Sequence, residues 1–303
     1  MSASTEKRRA AIAMVALSFI WGYAWVTAKI GLNHSGAFDF AALRVLVGVL
    51  TLAVAMLWAG RSLRPTHIRS AIFLGCIQTG AFLIFNTWAL AGSDPGKTSI
   101  LTFTMPFWVL LFAWPLLGER IVGWQWVAVA LALAGLGAIL EPWEMQTSIV
   151  PKLLAVAAGA CWAIGVVVAK RLHNREQMDA LQFTFWQMLI GLVPITVVAL
   201  LVPQRSMDWG WPLVSALLFS GVVATGLGWF LWLYVLHRLP AGTTSLSSLA
   251  IPVIALVSSA IQLGERLRLA EFVGMVMIGA ALALNSWDTG RRQRALEPTM
   301  GQE

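Results

Sequence analysis

Two amide side chains inside a long apolar stretch are candidates for binding a polar molecule. Gln78 and Asn86 are separated by Phe82 at intervals of four residues, which places all three on one face of a helix. Amides are unfavourable in hydrocarbon unless they meet a partner or a water-filled cavity. The pattern therefore predicts a cavity beside this helix, and contacts between packed helices are the alternative.

Hydroxyl-bearing side chains form a second set, in two stretches that correspond to each other. One stretch holds Ser99 and Thr102 followed by Phe103, and the other holds Ser245 and Ser248. Small polar residues are also common where membrane helices pack together, so both a cavity lining and a packing contact remain open for each hydroxyl. We include all five residues in the predicted substrate-binding set.

A proline follows each of these stretches. Pro106 and Pro252 lack an amide proton, and each disturbs the carbonyl group four residues earlier, which belongs to Thr102 or Ser248. A freed carbonyl group near mid-membrane would accept a hydrogen bond from a substrate ammonium group. A simple kink that shapes the bundle is the alternative. Both prolines are predicted to break or bend their helices.

The 16 tryptophans divide by position. Those at the ends of apolar stretches are typical of the aromatic belts at the membrane surface. Trp21 and Trp25 lie deeper and share a helical face, and Trp162 corresponds to Trp21 in the second half of the chain. Converging rings of this kind form an apolar pocket that stacks on an aromatic side chain and attracts a cation, whereas a ring facing lipid is the alternative.

The elements that position these residues follow from the composition. The chain has 303 residues, of which 58% are hydrophobic and 12% charged, against about 25% charged residues in soluble domains. The apolar residues form stretches of about 20, the length that crosses a bilayer. No connection is long enough for a soluble domain. Ten stretches are predicted to be transmembrane helices: 10–31, 38–58, 70–91, 98–117, 124–141, 152–169, 180–202, 212–236, 243–263 and 270–287.

The second half of the chain repeats the first. Pro106 is followed by Gly-Glu-Arg at 118–120, and Pro252 is followed by the same sequence at 264–266, at the same spacing. Because five helices is an odd number, the second copy enters the membrane from the opposite face, which makes the repeats inverted. The predicted units are an N-terminal tail of 1–9, a first repeat of 10–141, an outer linker of 142–151, a second repeat of 152–287 and a C-terminal tail of 288–303.

The positive charges sort by membrane face. If the N-terminus is cytoplasmic, most of the 21 Lys and Arg residues fall in cytoplasmic connections and tails. This bias predicts a multi-pass protein of the bacterial inner membrane with both termini in the cytoplasm. The net charge of +7 is therefore attributed to topology, and a nucleic-acid partner is not expected.

Lys29 and Arg44 are the basic residues nearest the membrane interior. Three roles remain open for each of them. The side chain extends to the interface, it recognises a substrate carboxylate, or it locks an outer gate by pairing with Asp39 or with helix carbonyl groups. Lys29 corresponds to Lys170 in the second half. Gln187 stands where the first half has Arg44, so a role that needs two symmetric arginines is not expected.

The doubled pattern resembles the EamA family of the drug/metabolite transporter superfamily. The resemblance rests on Trp21-Gly22 with the later Lys29, on Arg44 and on the span that runs from Pro106 to Gly-Glu-Arg, in order over nearly the whole chain. It implies an all-α membrane protein of ten helices in two inverted repeats. It also implies export of small metabolites, with aromatic and other neutral amino acids expected, by alternating access through a central cavity.

The acidic residues distinguish between transport mechanisms. All 14 lie at span ends, in connections or in tails, so no central carboxylate is present for proton antiport, although Asp39 and Glu141 lie near span ends. This favours a facilitated uniporter. Proton-coupled export of amphipathic drugs or other metabolites is the alternative, and a channel would need a filter sequence that the chain lacks.

No catalytic residue, metal site or cofactor is predicted. The spans contain neither an internal histidine nor an acidic pair that would serve an enzyme. The expected partners are a small-molecule substrate and the lipid bilayer, and a single chain is expected to function as a monomer.

Overall fold

The computed structural model describes residues 3–118, 120–140, 149–175, 179–239, 244, 247–248, 250–264 and 269–296. These residues contain helices and no strand. Six helices are long and apolar enough to cross a membrane, and shorter apolar helices accompany them, which confirms the predicted all-α membrane class. The six are Arg8–His34, Ala37–Trp58, Ile68–Ala91, Ile149–Asn174, Ala180–Leu201 and Trp211–Arg238.

The helical elements follow the apolar stretches, and prolines and glycines mark many of their ends. In chain order they are α1 (Ala3–His34), α2 (Ala37–Trp58), α3 (Ile68–Leu74), α4 (Phe82–Ala91), α5 (Pro95–Thr102), α6 (Met105–Leu117), α7 (Gln125–Leu140), α8 (Ile149–Arg175), α9 (Ala180–Leu201), α10 (Trp211–Leu218), α11 (Gly228–Arg238), α12 (Ala250–Leu263) and α13 (Leu269–Leu296). The predicted span 98–117 is thus two helices, α5 and α6, which are separated at Phe103 and Thr104.

Two π-helices interrupt the long helices. The first, Gly75–Ala81, joins α3 to α4, and the second, Phe219–Leu227, joins α10 to α11. Their glycines correspond in the sequence repeat, Gly75 with Gly221 and Gly80 with Gly226. A π-helix has a wider turn than an α-helix and is frequent at functional sites. The two interruptions therefore fall at equivalent places in the two halves.

Packing joins the two halves. Helix α1 packs against α12, and the corresponding helix of the second half, α8, packs against α6. Helix α2 contacts the second π-helix, α9 contacts the first, and α7 pairs with α13. Exchanging corresponding helices of the two halves leaves this set of contacts unchanged.

Glycines allow close contact at both π-helices. A Cβ atom added at Gly48 of α2 would lie 2.5 Å from Thr225 Cγ2, and one added at Gly191 of α9 would lie 2.5 Å from Thr79 Cγ2. Both distances are shorter than a carbon contact permits, so neither position accommodates a side chain without movement. Gly48 and Gly191 are also equivalent in the sequence repeat. We refer to these contacts as the two glycine joints.

Contacts between the connections define two ends of the bundle. At end A (residues 33–38, 90–94 and 202–208), Phe38 N donates to Gln204 Oε1 at 3.1 Å. At end B (residues 59–67, 170–175, 179–182 and 236–239), Arg61 pairs with Asp179 at 3.1 Å. The middle of the bundle, between these ends, holds the site described next.

Candidate functional site

A cavity lies between the two halves, about midway along the bundle. It contains about 610 Å³ of space free of atoms, including its mouth. Its lining is largely apolar with a few polar groups, which is typical of sites for small molecules. The lining residues are Trp21, Ala24, Trp25, Ala28, Arg44, Phe82, Asn86, Leu90, Thr102, Phe103, Met105, Trp162, Ala224 and Trp229.

Most of the predicted substrate-binding residues lie in this lining. They are Trp21, Trp25, Phe82, Asn86, Thr102, Phe103 and Trp162, and they come from both halves. Arg44, predicted as a gating residue, lines the cavity as well. Trp229 was not predicted. Its counterpart in the first half is Leu83, so the repeat contains no signal that singles it out.

An aromatic cluster lies at one wall of the cavity. Its members are Trp21, Phe82, Trp162 and Trp229, which line the cavity, and Trp232, which packs behind them against Trp21 and Trp162. The ring centroids of Trp162 lie 5.3 Å from Trp21, 5.0 Å from Trp229 and 4.8 Å from Phe82. Contacts of this kind each add a modest stabilisation beyond the area that they bury. The cluster therefore holds α1, α4, α8 and α11 together.

The aromatic cluster separates the cavity from end B. Trp229 lines the cavity, whereas the next residue, Phe230, lines a different pocket together with Arg61 and Asp179 of end B. On the other side, the cavity reaches Leu90, near the C-terminus of α4 at end A. The cavity thus lies on the end A side of the cluster.

The indole groups of this cluster differ in hydrogen bonding. Trp21 Nε1 donates to the carbonyl oxygen of Ala224 at 2.8 Å, which ties α1 to the second π-helix. Trp162 Nε1 and Trp232 Nε1 are buried and have no acceptor among the residues that the structure describes. The cluster therefore contains two unused donors.

Asn86 and Thr102 form the polar part of the lining. Thr102 Oγ1 donates to Asn86 Oδ1 at 2.9 Å, which joins α5 to α4. The Asn86 Nδ2 group donates to no described residue, and Asn86 lines the cavity, so this group is available to a ligand. The Asn86 amide, which the sequence pattern predicted as a substrate-binding group, thus lines the cavity.

Gln78, the other predicted amide, lies outside the cavity lining. It is 2% exposed, and its Oε1 accepts from Gln187 Nε2 at 3.0 Å. The prediction assumed α-helical spacing from Gln78 to Phe82. The first π-helix covers this interval, and its wider turn rotates Gln78 away from Phe82 and towards α9.

The two predicted serines that the structure describes, Ser99 and Ser248, do not line the cavity either. Ser99 Oγ donates to the carbonyl oxygen of Gly96 in its own helix at 2.7 Å. Ser248 is fully buried and is absent from the lining. Ser245 lies outside the described residues. The packing alternative therefore fits Ser99 and Ser248 better than a direct contact with a ligand.

The two prolines occupy helix starts rather than helix interiors. Pro106 lies in the first turn of α6, after the break at Phe103 and Thr104, and Pro252 lies in the first turn of α12. A Cβ atom added at Gly159 of α8 would lie 2.6 Å from the Thr102 carbonyl oxygen, so α8 covers this group. The Ser248 carbonyl accepts from the backbone three residues later. The structure therefore leaves neither carbonyl group facing the cavity.

Two lysines, one in each half, bind the C-terminal carbonyl groups of a neighbouring helix. Lys29 of α1 binds those of α4 at end A, at 3.5 and 3.1 Å, and Lys170 of α8 binds those of α11 at end B, at 2.7 and 2.8 Å. A cation is favourable at a helix C-terminus. The acceptors are Leu90 and Ser93 for Lys29, and Leu236 and Leu239 for Lys170.

Arg44 has a different environment from either lysine. Its Nε atom is fully buried without a hydrogen-bond partner, and its guanidinium group pairs with no described residue. Asp39, five residues earlier on α2, forms no ion pair with it. An unpaired guanidinium group in an apolar site is unfavourable unless an anion or water meets it.

A bundle of membrane-length helices around a central cavity is typical of multi-pass membrane transporters. The sequence model of the EamA-like transporter family matches the chain twice, over residues 8–140 and 151–287. The chain therefore belongs to this family, as its doubled motif predicted. Among the described residues, no group of His, Cys, Asp and Glu side chains is placed to hold a metal ion.

Relatives from other organisms agree with this family. The uncharacterized transporter YoaV of Bacillus subtilis (strain 168) is 26% identical over 289 residues, which cover 93% of this chain and 98% of the relative. A probable amino-acid metabolite efflux pump of Escherichia coli (strain K12) is 26% identical over 278 residues, 88% of this chain and 91% of the relative. These names describe transporters and an efflux pump rather than enzymes.

A solved crystal structure shares the fold. It superposes with a TM-score of 0.75 and covers 91% of this chain and 97% of its own, at 17% sequence identity. The similarity extends over nearly the whole length of both chains, so the helical architecture is common to both.

Proposed function

We propose that the protein exports aromatic and other neutral amino acids across the bacterial inner membrane by alternating access. The observation that carries this proposal is the central cavity, which is lined by the rings of Trp21, Trp162 and Trp229 and by the polar side chains of Arg44 and Asn86. An aromatic amino acid has matching parts, an apolar ring and a zwitterionic head group. The printed name of the Escherichia coli relative supports the substrate class, and the tryptophan content and chain length resemble those of the aromatic amino acid exporter YddG.

The proposal includes ten transmembrane helices in two inverted repeats, 10–141 and 152–287, between the two tails. Helix α1 begins at end B, where Glu6 lines the same pocket as Arg61. Helix α8 begins at end A, where an added Cβ on Gly92 would lie 2.9 Å from Pro151. Corresponding helices that start at opposite ends support the inverted arrangement, and inverted repeats are common in secondary transporters.

End B is the proposed cytoplasmic end. It carries Arg61, Arg64, Arg171 and Arg238, and an excess of positive charge is typical of cytoplasmic connections. The N-terminal part of α1 lies at the same end. In this orientation both termini are cytoplasmic, the cavity faces outwards and the aromatic cluster closes the inner side.

Alternating access then requires the aromatic cluster to separate. Opening end B moves α11 away from α8, which parts Trp229 from Trp162 and breaks the contacts of Lys170 with the α11 carbonyl groups. The corresponding contacts of Lys29 with the last carbonyl groups of α4 are already formed while end A is open. Lys170 is therefore the lysine whose contacts break in this exchange, and Lys29 keeps α1 and α4 together at end A. The symmetric packing of the halves supports the exchange.

The cavity supports facilitated uniport. Its described lining contains no carboxylate, and a proton antiporter usually needs one in the membrane. Asp39 is partly buried but lies outside this lining, and Glu141 lies outside the described residues. The cavity is formed within one chain, which supports a functional monomer.

Counterflow in reconstituted vesicles tests the proposal. Vesicles preloaded with unlabelled L-tryptophan, with equal pH on both sides, should accumulate labelled L-tryptophan transiently and with saturation. Vesicles without protein are the control. Strict dependence on a proton gradient would contradict uniport and favour proton-coupled export of amphipathic compounds, whereas flux without saturation or counterflow would indicate a channel.

A further inference from the structure

We propose that Arg44 binds the carboxylate group of the transported substrate, an inference that rests on the proposed function. Arg44 is the one charged residue among the described residues that line the cavity. No carboxylate in that lining neutralises it, and no described residue accepts a hydrogen bond from its guanidinium group. A cation placed in this way attracts an anionic ligand into an otherwise apolar space.

The unused polar groups around the cavity point to the same ligand chemistry. Among the described residues that line the cavity, the buried side-chain atoms without a partner are Arg44 Nε and Trp162 Nε1, and both are hydrogen-bond donors. The Asn86 Nδ2 group is a further donor at the cavity wall. Donors without acceptors match a ligand that brings acceptors, and a carboxylate group brings two oxygens and a negative charge.

The backbone of Arg44 is held in place by the second π-helix. A Cβ atom added at Gly221 would lie 3.0 Å from the Arg44 carbonyl oxygen, so the two helices are in close contact at this residue. The guanidinium group is planar and presents its donors as a fork that fits a carboxylate group. The close contact fixes the point on α2 from which the side chain enters the cavity, and the planar fork matches the geometry of a carboxylate group.

The other half of the molecule has no equivalent site. Gln187 occupies the corresponding position on α9, and its amide donates to Gln78 Oε1 at 3.0 Å in a closed contact away from the cavity. The cavity therefore holds a single carboxylate. With this group at α2, the side chain of the substrate extends towards Trp162 and Trp229, and the ammonium group meets aromatic ring faces.

Binding to the purified full-length protein in lipid nanodiscs tests this assignment. The ligands are labelled L-tryptophan and its amide, L-tryptophanamide, which keeps the ring and the amino group but lacks the carboxylate. The variants are Arg44→Gln, which carries the residue of the second half, and Arg44→Lys. Arg69→Gln, at an exposed arginine of α3 outside the cavity, is the matched control.

The wild type and the Arg69→Gln control should bind L-tryptophan more tightly than the amide. Arg44→Gln should weaken L-tryptophan binding by roughly 30-fold or more, as expected when one partner of a desolvated charge pair is removed, and should change amide binding by less than about threefold. Arg44→Lys should restore part of the preference, because lysine keeps the charge without the fork.

The outcomes separate the two proposals. If the wild type binds L-tryptophan and Arg44→Gln binds it equally well, the assignment of Arg44 is wrong and the proposed function stands. An equal loss of both ligands in Arg44→Gln also overturns the assignment, because it indicates a general effect on the cavity. If the wild type binds neither ligand, the proposed substrate class fails, and the assignment fails with it.

Discussion

The two halves of the bundle are alike at their joints and differ at the cavity. At one joint Thr225 lies against Gly48, and at the other Thr79 lies against Gly191, with the same distance of 2.5 Å to an added Cβ atom. One turn away on α2, Arg44 lines the cavity without a partner, whereas the equivalent Gln187 on α9 donates a hydrogen bond to Gln78 and lies outside the cavity lining. Symmetry is therefore found where the halves support each other, and asymmetry where a ligand would bind.

Placing the residue of one half at the equivalent position of the other, Arg44 or Gln187, should give the largest difference in stability. Gln187→Arg places a cation in a packed contact, since Gln187 is 4% exposed and lies outside the lining of the central cavity. We expect a loss of about 3 kcal/mol or more in the free energy of unfolding, because a buried charge without a partner is strongly destabilising. Thermal unfolding in detergent measures it, with Arg44→Gln, which should unfold no earlier than the wild type, as the matched variant. Equal stability of the two variants would contradict the difference between the halves.

The same substitution at either glycine joint should lower the stability of the protein by the same amount. Gly48→Ala and Gly191→Ala each add a methyl group where Thr225 or Thr79 already lies, and we expect each to lose about 1–3 kcal/mol through overpacking. Gly279→Ala on α13, where nothing lies within 4 Å of an added Cβ atom, is the control and should change stability by less than about 1 kcal/mol. Unequal melting temperatures for the two joint variants would show that the joints are not equivalent.

Replacing Lys170 and replacing Lys29 should lower the free energy of unfolding by moderately different amounts. Lys170 is 8% exposed and binds its carbonyl groups at 2.7 and 2.8 Å, whereas the contacts of Lys29 are longer. We expect Lys170→Met to lose about 2 kcal/mol and Lys29→Met about 1 kcal/mol in the free energy of unfolding, in proportion to these contacts. Chemical unfolding in mixed micelles measures both. A larger loss for Lys29→Met would reverse the proposed order.

The smallest difference in stability is expected between variants of the two equivalent tryptophans, Trp21 and Trp162. Trp21→Phe leaves the Ala224 carbonyl without its donor, whereas Trp162→Phe removes an indole nitrogen that has no described acceptor. Because both lose the same ring area, we expect Trp21→Phe to be less stable than Trp162→Phe by about 1 kcal/mol, the value of one hydrogen bond. Melting temperatures measured side by side check this. Equal values would mean that the Trp21 hydrogen bond contributes nothing.

Much of the cavity could be predicted from the sequence because α-helical periodicity holds there. Trp21 and Trp25 lie four residues apart on α1, and Phe82 and Asn86 lie four apart on α4, and all four line the cavity. The same rule failed for Gln78, because the π-helix that precedes Phe82 changes the number of residues per turn. Glycines at both ends of that segment were visible in the sequence, but their spacing does not specify a π-helix.

Other features depend on contacts between elements that are distant in sequence. Arg44 pairs with no described residue because of how the helices around it are arranged, and the sequence next to Arg44 does not specify that arrangement. The proline hypothesis located the break near Pro106, but the Thr102 carbonyl lies against Gly159 of α8, a contact across the two halves. The hydroxyl of Ser99 is satisfied within its own helix, and no sequence pattern separates this case from a ligand contact.

Trp229 and Phe230 are consecutive residues, yet they border spaces that belong to different ends of the bundle. If water reaches both spaces, the transmembrane voltage falls mainly across the packed residues between them, which include the aromatic cluster. Moving one elementary charge through the full voltage involves about 2.3 kcal/mol per 100 mV. Under the proposed function, a zwitterionic substrate carries no net charge through these residues, so its own concentration gradient would drive its export, whereas a cationic drug on the same route would be held back by the negative interior of the cell.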